Sequence, residues 1–248
     1  LRCFLATFYH NCLPKSTEVV CLASTVVTFT SIVQILGFLG KNGWHVAIYV
    51  LWWICAGLSI LAIMGIPYVF TQINPPSIAG VLPNAQLPLE EALTAAATCG
   101  SLCTNGYWSC EIRVPVILVS YLLLGIAILL AFILDALFLG RLYNQTKDKR
   151  AKESKSQALN FAYQIMVLAG PWGKGSARLT CLGKAVLDGT FSPYNSGTML
   201  TSEVAFAVGY SSIFASIFFW GTAIFCCMLC DIPLGILVED VYSIKVGN

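Results

Sequence analysis

The chain has 248 residues, of which 57% are apolar and only 10% charged, with a formal net charge of +2. A mean hydropathy of +0.77 sets it far from soluble domains, where about 25% of residues are charged. These figures describe an integral membrane protein whose first partner is the lipid bilayer, and they exclude a nucleic-acid binder. His10 and His45 are its only histidines. Neither has a ligand-spaced partner or a neighbouring nucleophile, so no metal, cofactor or enzyme site is implied.

Eleven cysteines look like a disulfide framework, yet Cys21, Cys55, Cys181, Cys226 and Cys227 fall inside apolar runs, where cysteine acts as a small hydrophobe. Cys99, Cys103 and Cys110 cluster near one loop. If that loop lies outside the cell, Cys103 with Cys110 is the candidate pair. Their spacings are not those of a zinc site.

In chain order, residues 1–18 mix apolar and polar side chains and read as an interfacial segment or the tail of another helix. No signal peptide opens the chain, and a start at Leu1 reads as a piece of a longer protein. The first membrane candidate, 19–40, is semi-polar, with Thr25, Thr28, Thr30, Ser31 and Gln34 spaced through it. Residues 44–70 are almost uninterrupted apolar and rich in aromatics, enough to cross ~30 Å of hydrocarbon. Then comes 82–103, with Pro83, Pro88, Glu90, Glu91, Thr94 and Thr98 among a run of alanines. By itself it would not pass as a span, although small residues suit close helix packing. Glu90 and Glu91 are read as residues of the membrane boundary.

Residues 114–140 are again apolar, and their one acid, Asp135, is read as a boundary residue near Arg141. Loop 141–157 carries Arg141, Lys147, Lys149, Arg150, Lys152 and Lys155. Six cations in a short loop place it in the cytoplasm. Residues 158–187 are semi-polar and 204–230 strongly apolar. The chain therefore reads as a single membrane domain, 1–248, of about six transmembrane helices.

The centre of interest is Gly170-Pro171-Trp172-Gly173-Lys174-Gly175-Ser176-Ala177-Arg178. Glycines allow close approach, proline disturbs a helix, and irregular backbone at membrane depth survives only inside protein or beside water. Lys174 and Arg178 are four residues apart and share a helix face. Two readings stand side by side: the cations line an anion path, or they snorkel to head groups.

Semi-polar segments (19–40, 82–103, 158–187) alternate with greasy ones (44–70, 114–140, 204–230). Three helical hairpins whose first helices face a central path and whose second helices face lipid satisfy this pattern.

Val50-Leu51-Trp52-Trp53-Ile54, Gly65-Ile66-Pro67 and Phe70-Thr71-Gln72 resemble the fourth helix of the tellurite-resistance/dicarboxylate transporter family. That family is also known as the voltage-dependent or slow-anion-channel-like family and includes fungal sulfite efflux pumps and malic acid transporters. Leu82-Pro83 with the alanine run is similar to its fifth helix, and Val119-Ser120-Tyr121 with Gly125 and Arg141-Leu142 to its sixth. Gly170-Pro171-x-Gly173-x-Gly175 with Leu182-Gly183 is similar to its seventh, and Val208-Gly209 with Trp220-Gly221 to its eighth.

The resemblance implies an all-α polytopic protein, a ten-helix ring of five hairpins around a central pore, of which this chain holds helices three to eight. It also implies a homo-oligomer, a trimer by analogy, in the plasma membrane. The pore-blocking phenylalanine of the family belongs to the ninth helix, expected soon after Asp231-Ile232-Pro233. Lys174 stands where the family usually has glutamine, and Arg178 where it has an apolar residue.

The function expected is a transporter or channel for small anions such as sulfite, malate or another mono- or dicarboxylate. Lys174 and Arg178 supply positive potential. Gly170, Pro171, Gly173, Gly175 and Pro83 shape the path, and Thr28, Gln34, Thr94, Thr98 and Gln164 give hydrogen bonds to the ion. The alternatives are a membrane scaffold that binds a partner through Tyr107 and Trp108 in loop 99–113, or a non-functional fragment.

Overall fold

The computed structural model describes residues 16–40, 43–72, 83–105, 108–144, 155–191 and 201–246. They form six α-helices: α1 (Ser16–Leu39), α2 (His45–Gln72), α3 (Leu87–Asn105), α4 (Cys110–Asn144), α5 (Lys155–Ala185) and α6 (Ser202–Val246). A 3-10 turn, Pro83–Gln86, leads into α3 and a π turn, Val186–Thr190, closes α5. Gly189 in that turn has φ 80°, a conformation open mainly to glycine. No strand occurs among the described residues. The protein is an all-helical, polytopic membrane protein.

Among the described residues three stretches are long and apolar enough to cross a membrane: His45–Gly65, Cys110–Gly140 and Ser202–Leu229. They lie in α2, α4 and α6, and each shows one outward apolar stripe. On α4 the stripe is Leu118, Leu122, Ile126, Leu129 and Ile133, all exposed at steps of three or four residues. On α6 it includes Tyr210, Phe214, Ile217 and Phe218. Large apolar side chains at helical spacing on an outer face are what lipid requires.

α3 is the opposite case. It is the least greasy part of the first four helices, yet Ala92, Leu93, Ala95, Ala96, Ala97 and Cys99 are almost wholly buried. It packs against α1, α2, α4 and α5 at once. Small residues make this enclosure possible. A Cβ at Gly100 would come 2.7 Å from Cys181 Cβ of α5, so the two helices touch nearly backbone to backbone there. Trp52 Nε1 of α2 donates to Ala95 O at 3.1 Å, tying the greasy helix to the polar one.

The hydroxyls of the polar helices are largely satisfied locally. Thr28, Thr30 and Ser31 donate to the carbonyls of Ser24, Val26 and Val27 at 2.9 Å. Thr94 and Thr98 do the same to Glu90 O and Thr94 O. Such back-bonding lets a hydroxyl reside in a membrane helix without a partner elsewhere.

The three semi-polar helices stand in a row, α1 beside α3 and α3 beside α5, with α2, α4 and α6 applied to it. α5 and α6 are the most closely joined. A Cβ on Gly183 would lie 2.8 Å from Gly209 O, and Ser176 Oγ donates to Ser216 O at 2.8 Å. α6 continues through Asp231-Ile232-Pro233 to Val246, across the point where a ninth helix was expected to begin.

The Gly183 contact is with backbone, which cannot rotate away. Gly183→Ala should lower stability by about 1–3 kcal/mol through overpacking. Gly221→Ala, on the same hairpin with nothing within 4 Å of a new Cβ, should be neutral or stabilising. Thermal unfolding of the two purified variants in one detergent distinguishes them.

Candidate functional site

The polar face of α3 organises the candidate site. Glu90, Thr94, Thr98, Ser101 and Thr104 recur at steps of three and four, so they form one stripe along the helix. Near its far end Gln34 Nε2 of α1 donates to Ser101 Oγ at 3.1 Å. At its start Lys174 Nζ of α5 meets Glu90 Oε2 at 2.5 Å. The eleven-residue step from Glu90 to Ser101 corresponds to ~16 Å of helix, so the stripe joins a contact with α1 to an ion pair with α5.

Sequence reasoning missed Glu90. It lies in the first turn of α3 with its side chain 15% accessible and that of Lys174 34%. The carboxylate also explains Gly170, because a Cβ there would collide with Glu90 Oε1. The first glycine of the α5 motif thus makes room for an acid from another helix. The available signal was an acid in one polar helix and a cation in another, since ionisable groups at membrane depth normally pair.

Glu91 is turned away from this site. It is fully buried beside Ser59 of α2, with no hydrogen-bond partner for either carboxylate oxygen.

The other motif residues separate into distinct roles. Gly175 faces Ile128 of α4 and Phe219 of α6, where a Cβ would lie 2.8 Å from Ile128 Cδ1. It serves helix packing. Gly173 meets only Ala223 of α6, at an ordinary 3.9 Å from a built Cβ, and Pro171 is buried within α5. Arg178 is half-buried one turn beyond Lys174, and its Nε is buried without an acceptor. On α1, Thr28 is exposed. Thr94 and Thr98 are buried on the α3 stripe. Pro83 opens the 3-10 turn; its side chain and that of Gln164 lie outside the described residues.

Asp135 is held by partners from two other elements. It is buried, and its carboxylate accepts hydrogen bonds from Gln86 Nε2 and from Trp172 Nε1, the latter at 2.5 Å. This cluster ties the turn before α3, the last third of α4 and the glycine motif of α5 into one polar core. It fixes the α5 segment that carries Lys174.

In loop 99–113, Trp108 is folded inward. It is 5% accessible, donates from Nε1 to His45 O at 3.1 Å, and meets Tyr49 edge-on. It is therefore not the exposed aromatic knob a partner would need, and Tyr107 lies outside the described residues. Cys103 and Cys110 are both free thiols rather than a disulfide, with Cys103 buried 3.8 Å from Cys99 Sγ. No group of residues able to hold a metal occurs among the described residues.

The fold and this site define a polytopic helical membrane protein whose polar helix α3 is enclosed by its neighbours and meets a cation of α5 there. The chain belongs to the voltage-dependent anion channel family, whose model matches residues 2–236. Comparison with curated proteins and with solved structures gives no match. Family membership makes the chain, in general terms, an anion channel or transporter and not a member of an enzyme family.

Trp172→Phe should destabilise the protein by about 1–3 kcal/mol, because it leaves a buried carboxylate oxygen of Asp135 without its donor. Adding Asp135→Leu removes the group left unsatisfied and should recover part of the loss. Unfolding midpoints of the single and double variants test this.

Proposed function

We propose that the chain contributes a polar wall, built from α1, α3 and α5, to a path for small anions of the sulfite, malate or related carboxylate class. The observation that carries this reading is Lys174: a cation in the interior row of polar helices, a third of its side chain accessible, in a member of an anion channel family. Arg178 adds a second positive group one turn along. In a narrow setting of low dielectric each is worth far more to an anion than at an open surface.

Transport is passive in this proposal and follows the electrochemical gradient. The ion keeps part of its water and exchanges the rest for hydroxyl and amide groups such as Gln34 and Thr94. The membrane is the plasma membrane, with loop 141–157 on the cytoplasmic side by virtue of its six cations. Oligomerisation follows the family pattern, and a trimer is the form proposed.

Uptake of labelled sulfite and malate into proteoliposomes containing the complete protein tests the proposal. Replacing Lys174 by Gln and Arg178 by Leu together should lower uptake about tenfold or more, given the loss of two interior charges. Unchanged uptake would remove both residues from the path.

A further inference from the structure

An anion that approaches Lys174 does not meet a bare ammonium group. Glu90 Oε2 is already there at 2.5 Å, and its other oxygen rests against Gly170, where any Cβ would displace it. The carboxylate is held between two groups of α5 and is more withdrawn than the lysine it contacts, 15% against 34% accessible. With Glu90 in place a third of the Lys174 side chain stays accessible, and Ala177, exposed three residues along, has a single methyl. A small ion can therefore come close to Lys174 while Glu90 remains in place.

The other charged groups near this site are disposed differently. Arg178, on the next turn of α5, is half-buried and its Nε has no acceptor. Asp135 of α4 is engaged by Gln86 and Trp172. Glu91 is enclosed beside Ser59. Glu90 is thus the negative charge that an anion at Lys174 has as its immediate neighbour.

The cost of stripping water from an ion rises with the square of its charge while the pull of Lys174 rises only in proportion to it, so a fixed carboxylate that offsets the ammonium leaves the dehydration of a dianion uncompensated and that of a monoanion tolerable. We propose that Glu90 is a specificity-determining residue of the anion path: it makes the site at Lys174 accept singly charged anions and reject doubly charged ones. This rests on the transport reading above and narrows it. The species carried are monoanions, bisulfite or a half-protonated dicarboxylate in place of the corresponding dianions. Gly170 is part of the device, because without its open Cα the carboxylate loses its seat.

The test uses nitrate and sulfate as probes of the two charge classes, at equal ionic strength, with the complete protein. Proteoliposome flux gives one readout; stabilisation of the detergent-solubilised protein against heating by each ion gives a second that does not depend on transport. In the wild type nitrate should be preferred over sulfate in both. Glu90→Gln keeps the shape but removes the charge, and should lower that preference about tenfold or more. Glu90→Asp should retain it. Gly170→Ala, which pushes the carboxylate aside, should fall between.

A nitrate-to-sulfate preference in Glu90→Gln and Gly170→Ala within twofold of the wild type would overturn the proposal. If no variant or wild type carries any anion, the transport reading fails and the thermal readout decides the site alone. Equal stabilisation by the two ions in wild type and Glu90→Gln then overturns it.

Discussion

A helix that carries Glu90, Glu91, three threonines and a serine cannot be left against hydrocarbon, where ionisable and unpaired polar groups cost several kcal/mol. Everything around α3 answers that constraint. Its alanines and Gly100 let neighbours approach until almost no surface is left open. Its hydroxyls turn back onto their own helix, Gln34 takes Ser101, and Lys174 takes Glu90. α2, α4 and α6, whose outer faces suit lipid, complete the casing. The enclosure is achieved by small side chains, and the contacts between helices are correspondingly close.

The same constraint explains where charge is found. Asp135 occurs in a span otherwise almost free of ionisable groups, and it is accommodated because an amide from the 3-10 turn and an indole from α5 both point at it. Lys174, two residues from that indole, is presented to the opposite partner, Glu90 of α3. One short segment of α5 thus takes part in two carboxylate contacts with different helices. A change in its backbone would disturb both, which gives the proline and glycines of the motif a structural setting.

Much of the architecture was legible from hydropathy alone. The greasy segments beginning near His45, Cys110 and Ser202 stand out because each must satisfy lipid by itself, without regard to the rest of the chain. The polar segments were legible only through their alternation with these, since 82–103 taken alone lacks the hydropathy of a span. What the sequence did not disclose are the pairings. Glu90 and Lys174 are 84 residues apart, and nothing local to either names the other. Asp135 near Arg141 looks like an end-of-helix acid until the fold brings Trp172 to it. The glycines of one motif likewise looked alike, yet Gly170 receives a carboxylate and Gly175 receives Ile128 and Phe219. Residue type gave the chemistry, while tertiary contact assigned the role.

The close seam between α5 and α6 bears on how this protein can move. With Gly183 against Gly209 and the Ser176 hydroxyl bonded to the Ser216 carbonyl, the two helices are geared together and slide past one another only by breaking that mesh. Rearrangement at Lys174 is thereby confined to its own side chain or to a shift of α3 relative to a stiff two-helix strut. A chain whose cation rides on such a strut keeps that charge at one place in the bundle while the less tightly meshed helices move around it.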